Sequence, residues 1–406
     1  MTTLTAPAPA APDERLSRYP KALLGALALA FVLVLVSGSG SDTASGRVGG
    51  DFPAFYGAGT IVADGDIDQL WNLEVQQAAQ VDLLGDEDGF IMFPYAPHVA
   101  AAYAPLSALP YRVAYAVHTA LMVGLLVGTL QLLRPLVPAV DRYFPLTLAA
   151  VMTAYPVFVG VGGGQNTALS LFLLAAVWRT LHDDREALTG LALALLLFRP
   201  QYAIPLVGLL FLGRHWRAVT WAGAGAIGVW LVNTALLGPA WITDWLDGVR
   251  PLLEADAEVN AANEIAPIGF LHALWGTEST AALLVGGLVS AAVIAVLTTV
   301  WWQGRLALDA RFAITTAGLL LVGPHTIYYD SALLLFATLV LLDRGHIDVR
   351  IVAGVWALGL VHLGKGVVDA SPLAPFVVFA FAAVAVLLAR QPEERVLPIQ
   401  DSWSPR

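Results

Sequence analysis

One carboxylate in an aromatic setting is the first candidate for chemistry in this chain. Asp51 lies in the run from Gly49 to Tyr56, directly after two glycines and before Phe52 and Phe55. Apolar surroundings disfavour the charged form of a carboxyl group and so make the carboxylate a stronger base, as proton transfer requires. Asp is also a favoured residue at the start of a helix, and residues 52–62 have a helical pattern. Two roles are therefore open for Asp51, a general base and a helix cap.

A second motif combines aromatic residues with histidine. It runs from Phe93 to His98 and is followed by the apolar stretch 99–110. About 12 apolar residues fit an interfacial or re-entrant segment better than a full span, which would place Tyr95 and His98 at the outer membrane surface. Aromatic residues at that depth are often only belt residues. Ligand binding and a belt position are both open for these two side chains.

Polar residues also interrupt apolar runs at three later places. These are Gly162 to Asn166 with Gln165 and Asn166, then Arg199-Pro200-Gln201, and finally Gly323-Pro324-His325 with Tyr328, Tyr329 and Asp330. Ionisable residues at membrane depth are costly and indicate function. We interpret Arg199 as an isolated cation suited to a phosphate group, with His325 as a second donor. The alternatives are a snorkelling arginine and a capping histidine.

The elements that must position these residues are membrane helices. Of the 406 residues, 58% are hydrophobic and 13% are charged, whereas a soluble protein has about 25% charged residues. The apolar runs lack the alternation of barrel strands, so we predict an all-α polytopic membrane protein. The net charge of -10 argues against nucleic acid as a partner, and the absence of cysteine excludes disulfides and thiolate metal sites.

The excess of Lys and Arg in cytoplasmic loops orients about 12 predicted spans. They lie near 22–37, 113–133, 144–162, 166–181, 188–199, 202–213, 217–237, 280–300, 312–323, 328–342, 351–364 and 372–389. All 21 Lys and Arg residues are then cytoplasmic except Arg47, Arg112, Arg199, Arg250 and Lys365. Spans 188–199, 202–213 and 312–323 have only about 12 residues, so we expect them to be re-entrant or extended by the polar tips. A topology with 97–110 as a span and 188–213 as one kinked helix moves four arginines outside and is disfavoured.

This topology predicts two long, acidic extracytoplasmic loops. Five parts follow: a disordered cytoplasmic N-terminus 1–21, a module 22–237 containing the first loop 38–112, the second loop 238–279, C-terminal helices 280–389 and a cytoplasmic tail 390–406. A cleaved signal peptide is the alternative interpretation of the N-terminal cations and first apolar run.

The order of the motifs is similar to that of glycosyltransferase family 87. It comprises Gly-Asp-Phe-x-x-Phe-Tyr-x-Ala-Gly from Gly50 to Gly59, Phe-x-Tyr-x-Pro from Phe93 to Pro97, Gly-Gln-Asn from Gly164, Arg199-Pro200, and a later Pro-His with Tyr-Asp. Arg199 stands where that family commonly has lysine, and Ala96 where it often has proline. The resemblance covers roughly residues 22–342 and implies a GT-C fold. The abundance of Ala, Val, Gly and Leu without cysteine is typical of actinobacteria.

The resemblance implies a membrane glycosyltransferase acting at the outer face of the plasma membrane. It would transfer mannose from polyprenyl-phosphate-mannose to a glycolipid or lipoglycan such as a phosphatidylinositol mannoside, with inversion and an α-1,2 linkage favoured. The family that this chain resembles includes arabinofuranosyltransferases as well as mannosyltransferases, so polyprenyl-phosphate-arabinose is an alternative donor. A flippase or transporter for a lipid-linked sugar is a second alternative. It is disfavoured because the motifs gather at one face, whereas transport sites lie near the bilayer midplane.

The expected roles follow from the resemblance and from residue chemistry. Asp51 is the general base, and Arg199 and His325 bind the donor phosphate. No metal is required, although Asp51 and the loop carboxylates could hold a divalent cation through oxygen ligands. The expected sugar or acceptor contacts are Phe55, Tyr56, Tyr95, His98, Gln165, Asn166, Gln201, Tyr329 and Asp330.

Overall fold

The computed structural model describes residues 14–37, 48–84, 91–323, 325–343 and 347–389. Over these ranges the chain is all-α, as predicted, with one isolated antiparallel bridge between Glu264 and Ile327. Residues 1–13 of the predicted disordered N-terminus and the predicted tail 390–406 lie outside the described residues. Residues 15–21 are helical, which corrects the prediction of disorder there. Arg, Leu and Lys favour helix, and an ion pair of 3.1 Å joins Arg18 to Glu14.

The helices of the described residues are numbered in chain order. The first ten are α1 (Arg15–Ser37), α2 (Phe52–Asp64), α3 (Leu73–Leu84), α4 (Pro97–Ser107), α5 (Tyr111–Leu133), α6 (Pro138–Arg142), α7 (Phe144–Thr153), α8 (Tyr155–Gly162), α9 (Thr167–His182) and α10 (Glu186–Leu195). The others are α11 (Pro200–Leu212), α12 (Trp216–Leu237), α13 (Trp241–Val259), α14 (Pro267–Trp275), α15 (Thr280–Gln303), α16 (Leu308–Val322), α17 (Leu333–Asp343), α18 (Val349–Leu358), α19 (Lys365–Val368) and α20 (Leu373–Ala389). Short 3₁₀ helices lie at Ile67–Gln69, Leu196–Phe198, Ala261–Asn263, Tyr328–Ala332 and Gly359–Gly364.

The length and apolar composition of several of these helices indicate a membrane protein. Among the described residues, five are long and apolar enough to cross a membrane, or up to six if α7 and α8, bent by 71° at their junction, form one span. The twelve-span topology is not confirmed, although each predicted span coincides with a helix or with a broken helix. Four of these candidate spans are Ser17–Ser37, Tyr111–Leu133, Trp216–Leu237 and Thr280–Gln303. The fifth, Val349–Val368, consists of α18, the 3₁₀ helix Gly359–Gly364 and α19 in succession.

Two breaks in the bundle carry predicted site residues. The helix over 188–213 is interrupted at Arg199, whose backbone leaves the helical region with φ -124° and ψ 78° before Pro200 restarts the chain as α11. Proline fits the first turn of a helix but disfavours a helical conformation in the residue before it. The second break is the turn between α8 and α9, which contains Gln165 and Asn166. At both breaks the polar side chains, Arg199 at the first and Gln165 and Asn166 at the second, are buried inside the protein.

The predicted loops are themselves helical. The first contains α2, α3 and α4, and the second contains α13 and α14. Helix α2 packs closely on α4, because a Cβ at Gly59 would lie 2.7 Å from the Tyr103 carbonyl oxygen. At the centre of the bundle, α16 is buried along 312–321 and packs against α15, α17 and α20. The predicted loops are thus packed structure that holds the segments around Asp51.

Candidate active site

Two glycine turns are in direct contact, and they bring the segment around Asp51 next to the segment from Gly162 to Asn166. Gly50 has φ +46°, and a Cβ there would lie 2.9 Å from the Gly163 Cα. Gly164 has φ +72°, and a Cβ there would lie 2.5 Å from the Phe52 Cβ. Any larger residue at these positions would push the turns apart and strain the backbone. The glycines therefore set the distance between the start of α2 and the start of α9.

Asp51 lies at this crossing, and its carboxylate meets a side-chain amide. The Gln165 Nε2 donates to Asp51 Oδ2 at 2.5 Å, and the Asp51 N–H donates to the Gly163 carbonyl at 2.7 Å. The Asp51 side chain makes no capping hydrogen bond to α2, and its backbone is αR rather than extended. The helix-cap alternative is therefore wrong. Asp51 is half-buried, so its carboxylate keeps access to a reactant.

Arg199 is completely enclosed beside this crossing. The side chain of Asn166, the residue after Gln165, accepts from Arg199 Nε at 3.1 Å and from Nη2 at 2.9 Å. The remaining nitrogen, Nη1, donates to Asp330 Oδ1 in a salt bridge. Arg199 is 3% exposed and Asp330 is 4% exposed. The interpretation of Arg199 as an isolated cation is wrong, because a buried carboxylate balances its charge.

Tyrosines surround the Arg199 pair. The Tyr95 side chain lies close enough to Asn166 and Arg199 for both to act on its phenol. Burial raises the pKa of Tyr95, which keeps its phenol protonated and able to donate. The Tyr202 ring lies 5.9 Å from the Arg199 guanidinium carbon, and Tyr329 is close enough to Arg199 for its charge to act on it. The candidate active site therefore unites residues from five separate segments: Asp51, Tyr95, Gln165, Asn166, Arg199, Tyr329 and Asp330.

His325 lies a short distance along the chain from Asp330 and also has a carboxylate partner. Its Nδ1 pairs with Glu264 Oε1, and the other Glu264 oxygen accepts the Thr326 N–H at 3.1 Å. The His325 side chain is 36% exposed and that of Glu264 is 6% exposed. Thus the second predicted loop contacts the site segment through a buried acid, while the imidazole remains open to a ligand.

His98 and Gln201 lie at the edge of the cluster. The Asn233 Oδ1 of α12 accepts the His98 backbone N–H at 2.8 Å and lies 3.2 Å from His98 Nδ1. Burial lowers the pKa of His98, which favours a neutral ring. Gln201 lies beside Gly323, since a Cβ there would meet the Gln201 Cβ at 3.7 Å. These contacts anchor α4 and α11 near the site.

Phe55 and Tyr56 belong to the packed wall behind Asp51. Phe55 is 2% exposed and contacts Tyr103 at a ring-centroid distance of 4.9 Å. The Tyr56 hydroxyl donates to the Ser107 and Leu109 carbonyls at 3.1 and 2.8 Å. Neither ring presents an open face to a sugar in this structure. Their contacts instead fix α2 against α4.

Sequence reasoning missed several residues that complete the site. Tyr202 is 0% exposed and faces Arg199, and Glu264 holds His325. Tyr202 follows Arg199 by three residues in α11, and this helical spacing is a usable signal because such residues share a face. Glu264 lies 61 positions before His325 in an acidic segment, where local sequence gives no sign of the pairing.

The arrangement provides a carboxylate at one end and a balanced cation at the other. Asp51 can accept a proton, while the buried donors around Arg199 can stabilise negative charge without reorganising. Among the described residues, no three His, Cys, Asp or Glu side chains are grouped so as to hold a metal ion. The site thus combines a candidate base with a group that can stabilise negative charge.

Comparison with known proteins assigns the chain to a family. The model of glycosyltransferase family 87 matches residues 93–324, which is more than half of the chain. The chain therefore belongs to glycosyltransferase family 87, as its motifs predicted, and is a membrane glycosyltransferase. Asp51 precedes the matched region, whereas Tyr329 and Asp330 follow it. No curated protein and no solved structure matches the chain.

Proposed function

We propose that the protein transfers mannose from polyprenyl-phosphate-mannose to a glycolipid or lipoglycan at the outer face of the plasma membrane. The acceptor is a phosphatidylinositol mannoside or a similar glycan, with an α-1,2 linkage favoured. The proposal includes the GT-C fold, the twelve spans and re-entrant segments, and the extracytoplasmic position of the two acidic segments. Family membership supports the reaction class, and the motif order supports the lipid-linked donor.

One observation carries the mechanism. Two adjacent residues, Gln165 and Asn166, bind a carboxylate and a cation respectively. A single turn thereby fixes the candidate base relative to the candidate charge-stabilising group. Glycosyl transfer to a hydroxyl needs both, since a proton leaves the acceptor while negative charge grows on the departing phosphate. This fixed geometry supports Asp51 as the base.

The proposed reaction is one displacement. The acceptor hydroxyl oxygen attacks the anomeric carbon of the sugar, and Asp51 takes the hydroxyl proton. The bond between that carbon and the phosphate oxygen breaks, so the electron pair departs with the polyprenyl phosphate. A β-linked donor then gives an α-linked product. Gln165 holds the Asp51 carboxylate in the orientation for proton transfer, which contributes through positioning.

Arg199 and His325 have different roles toward the phosphate. Arg199 is enclosed by Asn166 and Asp330, so it acts mainly through its field and by keeping these side chains in place. His325 is more exposed and can contact the phosphate directly. Tyr329 follows His325 by four residues, is half-buried, and is the aromatic candidate for the sugar next to these two groups. Tyr95, His98, Asn166, Gln201 and Asp330 would complete the donor and acceptor pocket.

Sugar transfer by the purified protein tests this proposal. Wild type and Asp51→Asn would be incubated with polyprenyl-phosphate-mannose and a phosphatidylinositol mannoside in detergent or nanodiscs. Asparagine keeps the shape of the side chain but cannot take the proton, so we expect kcat to fall by about 10²- to 10⁴-fold. Melting temperatures establish that both proteins are equally folded.

The matched control is Asp64→Asn, at the exposed end of the same helix α2, and we expect it to retain full activity. An active Asp51→Asn enzyme would contradict the mechanism and leave the family assignment intact. Transfer only from polyprenyl-phosphate-arabinose would change the donor to arabinofuranose. Movement of the intact donor across a vesicle membrane without transfer would favour a flippase.

A further inference from the structure

The extended segment 91–95 is held by two buried glutamines of α3. Gln76 and Gln80 are each 1% exposed. They lie four residues apart and thus on the same face of the helix. Both precede the region that matches the family model. A buried amide is costly unless its donors and acceptor are satisfied, so these two side chains need a structural or functional reason.

Each glutamine pairs with both polar groups of one backbone residue. The Phe93 N–H donates to Gln76 Oε1 at 2.8 Å, and Gln76 Nε2 donates to the Phe93 carbonyl at 3.2 Å. The Ile91 N–H donates to Gln80 Oε1 at 2.9 Å, and Gln80 Nε2 donates to the Ile91 carbonyl at 2.8 Å. This exchange of both bonds is the pattern of a hydrogen-bonded pair in an antiparallel sheet. The two amides therefore replace a neighbouring strand.

The match between helix and extended segment has a simple geometric cause. Four residues of α-helix rise about 6 Å, and two residues of an extended chain advance about 6.6 Å. Gln76 and Gln80 therefore come opposite Phe93 and Ile91, which are two residues apart. The same spacing sends the intervening Met92 side chain to the other face of the segment. A shift by one residue would break both pairs at once.

The backbone beyond Phe93 is held as well. The Trp245 indole N–H of α13 donates to the Pro94 carbonyl at 2.9 Å, and the Trp71 indole N–H donates to the Tyr95 carbonyl at 3.1 Å. The Tyr95 side chain itself lies beside Arg199 and Asn166, two residues of the candidate active site. Phe93, the residue whose backbone Gln76 binds, is thus only two residues from Tyr95.

We propose that Gln76 and Gln80 are positioning residues for sugar transfer: their amide pairs fix the 91–95 backbone so that Tyr95 stays on Arg199 and Asn166. This role rests on the proposed function. Gln76 acts more strongly than Gln80 because its pair is nearer to Tyr95. The requirement is specific to an amide, since only a side chain with a donor and an acceptor can satisfy both backbone groups.

Hydrogen exchange tests, without any substrate, whether the two glutamine amides hold the 91–95 backbone. The full-length protein in detergent would be compared with Gln76→Met and Gln80→Met, which keep side-chain length and remove the amide. We expect the Phe93 or the Ile91 amide, respectively, to exchange at least about tenfold faster, with exchange in α12 unchanged. Gln69→Met is the matched control, because Gln69 is an exposed glutamine that bonds only nearby polar residues, Asp68 and Asn72.

Kinetics with polyprenyl-phosphate-mannose tests the positioning role. Normalised to folded protein, Gln76→Met is expected to lower kcat at least about tenfold, Gln80→Met less, and Gln69→Met not at all. The decisive measurement repeats Gln76→Met in a Tyr95→Phe background. If Gln76 acts through the Tyr95 hydroxyl, Gln76→Met should lower kcat by less than about threefold in the Tyr95→Phe background, because the contact of that hydroxyl is already lost. A general loss of structure would lower kcat by the same factor in both backgrounds.

Each outcome has a definite meaning. A Gln76→Met enzyme within twofold of wild type, unchanged exchange at Phe93, or equal factors in the two backgrounds would overturn the positioning role. Wild type that transfers neither mannose nor arabinose, with exchange as expected, would instead refute the proposed function. If Gln76→Met does not fold, Gln80→Met carries the same test with a smaller expected loss.

Discussion

The two ends of the candidate active site are joined by adjacent residues but are built differently. At one end, Asp51 is half-buried and its carboxylate accepts a hydrogen bond from a neutral amide, that of Gln165. At the other end, Arg199 is 3% exposed and all three of its nitrogens donate to Asn166 or Asp330. The first end keeps a charged group accessible, and the second encloses one completely.

This difference indicates that one end of the site takes part in the reaction and that the other stabilises the structure. A group that exchanges a proton with a substrate must be accessible to that substrate. Its replacement should therefore change kcat more than the free energy of unfolding. A buried charge must be balanced, and removing its counterpart leaves an uncompensated ion inside the protein. We therefore expect the Arg199 end to control folding and the Asp51 end to control turnover.

The largest expected effect is that of Arg199→Met. It leaves the Asp330 carboxylate buried without its cation, so we expect the free energy of unfolding to fall by about 3–5 kcal/mol, together with loss of transfer. Denaturant unfolding in detergent measures the first, and the mannose assay measures the second. The double variant Arg199→Met with Asp330→Leu should recover most of the stability and none of the activity.

An exposed ion pair supplies the control for Arg199. Arg250 and Glu254 lie 3.6 Å apart on α13, with side chains 82% and 73% exposed. Arg250→Met should leave stability and activity unchanged, since solvent screens such pairs. Wild-type stability in Arg199→Met would show that Asp330 does not need its partner, and the contrast between the two ends would fail.

Gln165→Leu should have the next largest effect, and mainly on rate. It removes the amide that orients Asp51, so we expect kcat to fall about tenfold. Stability should change by only about 1 kcal/mol, because one hydrogen bond is lost while the Gln165 Oε1, buried without a hydrogen-bond partner among the described residues, is removed too. Pre-steady-state transfer and melting curves measure the two quantities.

A charged replacement sharpens the test at Gln165. Gln165→Glu would place two carboxylates side by side, so they would share a proton at higher pH than Asp51 alone. The acidic limb of the rate profile should therefore move to higher pH. An unchanged profile in Gln165→Glu, or full activity in Gln165→Leu, would separate Gln165 from the base.

Sequence alone predicted the apolar helices and the polar motifs at their tips, because membrane helices are apolar for most of their length and polar residues there are few. It did not predict α3, α13 and α14, which lie in the segments predicted as loops. The glycine run from Gly162 to Gly164 was correctly placed at the tip between the predicted spans 144–162 and 166–181. The Asp330 partner of Arg199 was not predicted, since the two lie far apart in the chain and pair only through packing. Arg199 was therefore interpreted as isolated.

Side-chain direction was the other limit of prediction. Phe55 and Tyr56 look accessible in the sequence because they follow Asp51, but α4 covers that face of α2. No role was predicted for Gln76 and Gln80, because two glutamines at this spacing are common on an exposed helix. Their roles depend on an extended segment that returns to α3 from further along the chain. Neighbours of this kind are set by tertiary packing.

The smallest expected effect is that of His325→Asn, which tests whether the His325 imidazole binds the donor phosphate. Asparagine can still donate to Glu264, and the Thr326 N–H still satisfies the other Glu264 oxygen. We therefore expect an unchanged melting temperature, a KM for polyprenyl-phosphate-mannose raised by about 3- to 10-fold, and kcat within about twofold of wild type, as for loss of uniform binding. His272→Asn on α14 is the matched control and should leave both constants unchanged. A fall in kcat as large as that in Asp51→Asn, with KM unchanged, would instead place the imidazole in the chemical step, and the accessible end of the site would then contain two groups that act on the reacting atoms.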